Sequence, residues 1–383
     1  MHDAIIVGGG PAGLSTALHL PPGTDVVVLE AKRYPRDKIC AGGVGARALA
    51  ILGKLGITVD CPHVPLDAIA LRYAGETAIV REPGLGVVVR RIEFDHMLAG
   101  CVAARGVPIR DGCPVAALDV ADDHVRVFCE SGEVLRARAV IGADGVSGIV
   151  RRAIGFPQSE LRAQVVELDT PASPLDLPRD TAVFDFTAGD LAGYAWDFPT
   201  ISGGTELVCR GVYALGSTDS PRARVAQYLA ARGMNAADFK LKQYAERGYE
   251  PGTPLSVPRV LLVGEAAGID IATGEGIAQA IEYGALAGAY LSRALASNDL
   301  GFASWRGHVA RHHVGWQLWI RHACARAFYG AHRPAVERLL PRVSALLQMG
   351  VRDFAGKPLS GLALAHGAGQ VIRALVAESA RDR

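Results

Sequence analysis

The sequence predicts an α/β chain, α+β overall, in which a mainly parallel sheet carries an inserted antiparallel sheet and a helical C-terminal region follows. Three observations predict it. Residues 4–30 run as an apolar strand, a glycine turn, a helix and a second strand that ends on an acid. Val260–Val263 is a continuous apolar run that leads through a glycine-rich loop into a long helix, the pattern of a strand buried on both faces. Residues 160–215 alternate polar and apolar side chains between Pro and Gly breaks, the texture of antiparallel strands.

The first of these elements has the form of a dinucleotide-binding fingerprint. Gly8, Gly10 and Gly13 have the G-x-G-x-x-G spacing, and Pro11 and Ala12 open the helix. Gly8 permits the tight turn after the strand, Gly10 lets the backbone approach a pyrophosphate, and Gly13 lets the helix lie close to the sheet. The helix N-terminus offers the phosphates unpaired N–H groups and a partial positive charge. Glu30, 17 residues beyond Gly13 and followed by Ala31, is spaced to accept hydrogen bonds from both hydroxyls of an unphosphorylated adenosine ribose. A Rossmann-like domain is expected.

The remaining elements follow in order. Pro11–Leu20 is the first helix, ended by Pro21-Pro22-Gly23, and Asp25–Glu30 is the second strand. A polar loop over Ala31–Gly45 leads to a helix near Ala46–Leu55. Short strand-like runs fill residues 66–90, and Phe94–Arg105 reads as a helix. Val115–Leu118, Val125–Phe128 and Val134–Ala137 read as a meander, with Ala139–Gly142 a further buried strand. Pro221–Arg232 and Gly276–Ala296 are helical, and the helical pattern continues from Phe302 with breaks at Pro334, Pro341 and Pro358.

Composition narrows the function. The 383 residues leave room for two or three domains. With 40 basic and 39 acidic residues there is no electrostatic footprint for nucleic acid. Seven scattered cysteines without a C-x-x-C pair imply neither a disulfide framework nor a zinc ribbon, and fit a reducing, cytoplasmic setting. The N-terminal apolar run is expected to be a strand of the fingerprint and not a cleaved signal. No run of about 18 apolar residues predicts a membrane span. His308, His312 and His313 have the i, i+4 spacing of metal ligands, but no acid stands near them in sequence and Arg306 and Arg311 intervene, so a solvated or interfacial face is expected and no metal site.

Two further glycine elements carry chemistry. Gly264-Glu265 closes the Val260–Val263 strand, and the loop through Thr273-Gly274-Glu275-Gly276-Ile277 aims backbone N–H groups and a helix dipole at an anion. The other element is Gly142-Ala-Asp144-Gly145 with Ser147, Arg151 and Arg152. Taken in this order, the three elements resemble the para-hydroxybenzoate-hydroxylase-like superfamily of FAD-dependent oxidoreductases over nearly the first 300 residues. Within it, Lys38-Ile-Cys40-Ala41-Gly42-Gly43 is similar to the Lys-x-Cys-Gly-Gly loop of the geranylgeranyl reductase family. Tyr194-Ala-Trp196-Asp-Phe198-Pro199 is similar to that family's Tyr-x-Trp-x-Phe-Pro motif, and so is the turn Thr273–Ile277 to its counterpart. Ala41 stands where the family has glycine and Glu265 where it usually has Asp, and the loop Ile269–Ala272 is one residue shorter and lacks a proline.

The resemblance implies FAD as cofactor. Gly8, Gly10, Pro11, Ala12, Gly13, Glu30 and Ala31 would then hold the ADP half. Gly264 and Glu265 would hold the ribityl and pyrophosphate portion, and Gly274, Gly276 and Ile277 would face the ring. Asp144 and Gly145 would support FAD and the nicotinamide donor. Arg91, in an Arg-x-x-Phe94-Asp95 pattern, would lie near the cofactor together with Lys38, Ala41 and Gly42 of the cysteine loop.

The activity implied is an FAD-dependent reductase that passes hydride from the reduced flavin N5 to a carbon–carbon double bond. The substrate is an isoprenoid of geranylgeranyl type or a related apolar, lipid-like molecule, and the reductant is NADPH, NADH or a protein electron donor. Tyr194 and Trp196, at i and i+2 on a strand, present both rings to one face and form the floor of an apolar pocket. Cys40 is a catalytic candidate as proton relay or positioning group. Glu275 is the other, beside the ring-facing turn, unless it complements the helix N-terminus. An FAD monooxygenase of an aromatic or polyketide fits the fold equally. A halogenase ranks lower, since Tyr194 and Phe198 depart from its Trp-x-Trp-x-Ile-Pro motif.

The implied domains are a discontinuous FAD-binding domain at 1–65, 91–152 and 255–298, a β-sheet substrate domain at 66–90 and 153–254, and a helical region at 299–383. The tail from Trp305 to Leu347 mixes Trp316, Trp319, Phe328 and Tyr329 with arginines. It reads as a helical cap on the core, with peripheral membrane contact the alternative.

Overall fold

Among the described residues, two eight-stranded sheets organise the chain. The structure, a computed structural model, describes residues 1–73, 75–157, 161–187, 191–216, 220–329, 344–357 and 370. In chain order, β1 (His2–Val7), α1 (Pro11–Leu18) and β2 (Val26–Leu29) form the first β-α-β unit. Then come β3 (Gly43–Gly45), α2 (Ala46–Gly53), β4 (His63–Tyr73), β5 (Glu76–Val89) and α3 (Arg91–Ala104). β6 (Ile109–Arg110), β7 (Val115–Val120), β8 (Val125–Cys129), β9 (Val134–Gly142) and α4 (Ile149–Ala153) return to the first sheet. The second sheet resumes with β10 (Arg162–Thr170), β11 (Thr181–Asp185), β12 (Gly193–Ser202) and β13 (Thr205–Leu215), then α5 (Pro221–Ala230) and β14 (Lys242–Arg247). β15 (Ser256–Val257), β16 (Val260–Leu262), α6 (Ile277–Ser297), α7 (Trp305–Arg311), α8 (His313–Phe328) and α9 (Ser344–Phe354) complete the described chain.

The first sheet has the order β15-β16-β9-β1-β2-β6, with the β7–β8 hairpin attached to the start of β9. Its centre is parallel: β1 pairs with β2 (Ala4 opposite Val26) and with β9 (Ala4 opposite Ala139), and β9 pairs with β16. Ala4, Ile5, Ile6, Val140, Ile141 and Leu262 are fully buried, as expected of strands covered on both faces. α1 starts with Pro11 at its first turn and buries every residue. It lies against α6, where a Cβ on Gly284 would come within 2.5 Å of the Ala12 carbonyl and of Ser15. The Ser15 hydroxyl donates to the Ile281 carbonyl at 2.7 Å in the same contact. α6 stops at Asn298, which takes the left-handed conformation with φ 55°.

The second sheet has the order β14-β10-β13-β12-β11-β4-β5-β3. All its pairings are antiparallel except β11 with β4. Alternation along β12 sends Tyr194, Trp196 and Phe198 to one face and Ala195 to the other, where Val225 and Leu229 of α5 pack.

Three sequence expectations are corrected in detail. The short runs expected in 66–90 are two long strands, β4 and β5, which pair through a β-bulge between Leu66 and Ala68. The runs Val134–Ala137 and Ala139–Gly142 are one strand, because Arg138 between them turns outward to bind Asp3 and Asn298. β3 and the first residues of β4 belong to the second sheet, so that sheet draws on the segment 1–65.

The helical tail caps both sheets. Trp305 is fully buried and its indole N–H donates to the Leu262 carbonyl at 3.1 Å, tying α7 to β16. Val351 and Ala355, at the α9 end, pack on the aromatic face of the second sheet. Trp316 and Trp319 of α8 are 51% and 57% exposed. Pro334, Pro341 and Pro358 lie outside the described residues. Among the described residues no helix is long and apolar enough to cross a membrane.

The α1–α6 contact gives the first prediction. Gly284→Val must push α6 off α1, and the variant should lose about 1–3 kcal/mol of stability in denaturant unfolding.

Candidate active site

A cleft of about 440 Å³ runs along the ends of β1, β2 and β9, and a second chamber of about 400 Å³ lies under the aromatic face of the second sheet. The two share Cys40, Glu246, Gly274, Gly276 and Ile277 as walls.

The cleft is built from backbone first. Gly8 has φ 107°, and a Cβ there would lie 2.3 Å from the Ala143 carbonyl oxygen. A Cβ on Gly13 would lie 2.0 Å from the Gly8 oxygen, so no other residue permits this strand-to-helix turn. Gly8, Gly10, Pro11 and Ala12 line the cleft at the N-terminus of α1, with Glu30 and Ala31 at the end of β2. Glu30 Oε2 accepts from the Gly9 N–H at 2.9 Å and Oε1 from the Lys32 N–H at 3.0 Å, which fixes the carboxylate at the turn.

The far end of the cleft is acidic. Asp144 Oδ2 accepts from the Val150 N–H at 2.9 Å, while Oδ1 is buried without a partner, and burial pushes this carboxyl up to about 6. Gly145 and Gly264 both have positive φ, at 78° and 57°. Glu265 Oε2 accepts from the Tyr244 hydroxyl at 2.8 Å and from Lys38 Nζ at 3.3 Å, while Oε1 is buried without a partner. Burial works against the Lys38 ammonium, but Glu265, Tyr244 and Cys40 together outweigh it and hold Lys38 charged. Arg91 lines the same cleft and clamps Asp95 with two bonds of 2.7 Å.

Cys40 stands where the cleft meets the chamber. Its N–H donates to Glu167 at 3.2 Å and its Sγ accepts from the Gly42 N–H at 3.4 Å. Burial pushes the thiol up, against the opposing pull of Arg91 and Lys38, so it stays protonated at neutral pH. Ala41 and Gly42 wall the chamber, and Gly42 has φ 89° with the Val89 carbonyl 1.9 Å from where a Cβ would sit.

Tyr194, Trp196 and Phe198 form the chamber floor with Tyr213, which stacks on Tyr194 at 5.2 Å and 16°. Tyr194 donates its hydroxyl to the Thr273 carbonyl, and Tyr213 donates to the Ile271 carbonyl at 3.0 Å. Glu275 faces the chamber, where burial pushes its carboxyl up and Arg321 holds it at 2.6 Å. The same Arg321 nitrogen reaches Asp270 at 2.6 Å, so Glu275 is anchored by α8.

Sequence reasoning missed four residues here. Arg36 donates to the Gly9 carbonyl at 2.8 Å, to Glu30 at 3.1 Å and to Asp95 at 2.8 Å, and Tyr34 also donates to the Gly9 carbonyl. Arg321 is the third. Glu246 on β14 is the fourth: its Oε2 is buried without a partner, and burial and then the Glu265 charge push its carboxyl up to about 8, with Lys38 opposing. The polar alternation Lys242-Gln-Tyr244-Ala-Glu246 was the one signal available for it. His312 and His313 meet acids from other helices, whereas His308 meets Arg293. His313 contacts Glu282 at 3.0 Å and Asp353 at 3.8 Å. Among the described residues no group of three or more His, Cys, Asp and Glu side chains could hold a metal ion.

The cleft fits FAD on its own geometry. The side-chain-free turn at the start of α1 suits a pyrophosphate, and the unpartnered buried oxygens of Asp144 and Glu265 suit the hydroxyls of a sugar-alcohol chain. The chain carries an FAD binding domain: that family's model matches residues 1–187. It is an FAD-dependent oxidoreductase.

Among its relatives is a menaquinone reductase of Mycolicibacterium smegmatis, 28% identical over 89% of this chain and 85% of the other. A digeranylgeranylglycerophospholipid reductase of Methanosarcina mazei is 28% identical over 78% of this chain and 77% of the other. Two solved structures share the fold. One is a geranylgeranyl bacteriochlorophyll reductase-like protein from Thermoplasma acidophilum (TM-score 0.76, 19% identity, 96% and 95% of the two chains). The other is a flavin-dependent brominase (TM-score 0.75, 17% identity, 100% of both chains).

Two predictions follow from the ion pairs. Arg321→Met leaves Asp270 and Glu275 as uncompensated buried charges and should cost about 3–5 kcal/mol in equilibrium unfolding. His313 is held charged up to about 9: burial works against the charge, but Asp353 and Glu282 outweigh it. A histidine raised in the folded state stabilises fully below the unfolded value of about 6.5 and loses that contribution as pH rises. Unfolding free energy measured from pH 6 to 9.5 should therefore fall less steeply in His313→Gln than in the wild type.

Proposed function

We propose that the protein is an FAD-dependent reductase that hydrogenates a carbon–carbon double bond of an isoprenoid, geranylgeranyl-type or related apolar substrate. The observation that carries this reading is the junction: the FAD cleft opens, through the walls formed by Cys40, Glu246, Gly274, Gly276 and Ile277, onto a chamber floored by Tyr194, Trp196, Phe198 and Tyr213. Such a floor takes a hydrocarbon chain by burial and offers few partners to a polar aromatic. The relatives named for menaquinone and for digeranylgeranylglycerophospholipid support it.

When bound and reduced, FAD supplies the hydride equivalent for this chemistry; the reductant is NADPH, NADH or a protein electron donor. The chain's residues do the rest. Gly8 to Gly13, Glu30 and Ala31 hold the adenosine and pyrophosphate end, with Arg91 and Lys38 beside it. Asp144, Gly145, Gly264 and Glu265 hold the sugar-alcohol chain, and Gly274, Gly276 and Ile277 present backbone to the ring. Tyr194 and Trp196 orient the alkene, and the apolar floor displaces water from the reacting carbons. Cys40, protonated at the junction, relays a proton or positions the alkene, and Glu275 with Arg321 fixes the turn that faces the ring. The two sheets then serve as an FAD-binding domain and a substrate domain, and the exposed Trp316 and Trp319 give the C-terminal helices a means of touching a membrane surface.

The test is anaerobic. Purified yellow protein, reduced with NADPH, NADH or dithionite and mixed with digeranylgeranylglycerophospholipid, should yield product heavier by two hydrogens per double bond. A product that needs oxygen and gains an oxygen atom would overturn the reading in favour of a monooxygenase. Cys40→Ser should retain FAD while turnover falls at least about tenfold.

A further inference from the structure

We propose that Glu246 is the acid that delivers the proton to the substrate carbon that does not receive the hydride; this rests on the reductase reading above.

The placement is specific. Along β14 the side chains of Lys242, Tyr244 and Glu246 share one face. Lys242 is tied to Asp37 at 2.7 Å and Tyr244 to Glu265 at 2.8 Å, so the face looks toward the cysteine loop and the FAD cleft. Glu246 is the next position on that face, and its Oε2 is buried without a hydrogen-bond partner. That oxygen lies 3.3 Å from the point where a Cβ on Gly274 would stand, and the Tyr213 ring lies 3.0 Å from the same point. Glu246 therefore sits beside the ring-facing turn and the aromatic floor together, on the wall common to both cavities.

The chemistry requires such a group. An unactivated alkene accepts hydride poorly unless a proton arrives at the other carbon, and water is too weak an acid to give it at neutral pH. The candidates facing the junction are few. Burial pushes the phenols of Tyr194 and Tyr213 well above their usual range and the Cys40 thiol up, so all three are weaker acids than a carboxyl. Glu275 is engaged with Arg321, and Glu265 accepts from Tyr244 and Lys38. Glu246 faces Lys38, Glu167, Glu265 and Asp270 as its charged neighbours, and burial together with the three acids keeps it protonated to about 8 while Lys38 opposes.

In the step, the O–H bond of Glu246 breaks and a C–H bond forms at one alkene carbon. FAD, once bound and reduced, would supply the hydride and its electron pair for the second C–H bond, so that the alkene gains two electrons and the cofactor gives up two. The Glu246 carboxylate recovers its proton from water.

The experiment compares wild type, Glu246→Gln and Glu246→Asp as FAD-loaded full-length protein under anaerobic conditions. Reduction of the flavin by dithionite should match in all three. Reoxidation of the reduced protein by digeranylgeranylglycerophospholipid should slow about 100-fold or more in Glu246→Gln and less in Glu246→Asp. The wild-type rate should fall above pH of about 8, and that limb should vanish in Glu246→Gln. Independently of turnover, the infrared carbonyl band of a protonated carboxyl lost between pH 7 and 9, above the range in which Asp144 ionises, should be absent from Glu246→Gln. Wild-type reoxidation rates in Glu246→Gln, or the band surviving in it, would overturn the proposal while the reductase reading stands. Wild-type protein that the lipid cannot reoxidise would overturn the reductase reading, and this inference with it.

Discussion

Both cavities depend on how the segment from Gly264 to Gly276 crosses between the sheets. A crossing chain carries backbone groups that no strand pairs, and buried ones must find partners. Here they come from both sides. Tyr194, Tyr213 and Tyr329 donate hydroxyls to the carbonyls of Thr273, Ile271 and Ala272, and Asp270 accepts from the Ala272 N–H at 2.7 Å. Ile269 pairs with the chain after β14, through Tyr249 N–H to its carbonyl at 2.8 Å. The aromatic floor is therefore also the clamp that sets the turn facing the FAD cleft. A substitution in the floor moves the cofactor wall, so pocket shape and turn geometry are not independent variables.

Charge around this crossing is arranged in buried groups that share partners. Asp95 takes both Arg36 and Arg91, and Arg321 serves both Asp270 and Glu275. Such pairs add little net stability over apolar packing, because desolvation offsets their attraction. Their effect is positional. Arg36 bridges the Gly9 turn to α3, and Arg321 bridges the 270–275 loop to α8, so each joins segments far apart in sequence. Glu246 has a buried oxygen without a donor, and burial, then the Glu265 charge, push its carboxyl up against the pull of Lys38.

What the sequence made legible followed from whether a residue's role was written in its neighbours. Gly8, Gly10 and Gly13 encode a backbone path within six residues, so the fingerprint and its strand-helix-strand setting could be read directly. Tyr194 and Trp196 encode a face by their spacing, and the structure puts both rings on one floor. Arg138 misled, because a charged residue inside a strand reads as a break, although here it points to Asp3. Glu246 and Arg321 were hard to read for the opposite reason. Each lies in a short or arginine-rich polar stretch that looks solvated, and each meets its charged neighbours from segments distant in sequence.

The fold by itself leaves the reaction open, since a brominase shares it over the whole chain. The difference must lie in what the reacting end of the cofactor meets. A hydroxylation needs an electron-rich aromatic held by polar groups and a route for oxygen, whereas hydrogenation of an isolated alkene needs a dry surface and a proton within reach. The junction pairs an apolar floor with a carboxyl that burial and the neighbouring acids keep protonated, and puts both on the wall that the two cavities share. Raising that carboxyl costs stability, because burial and then repulsion from Glu265 and Asp270 disfavour its ionised form; the same effects keep its proton in place at neutral pH. The Glu265 charge thus helps to hold the proton on Glu246, and the cleft wall and the junction share one electrostatic arrangement.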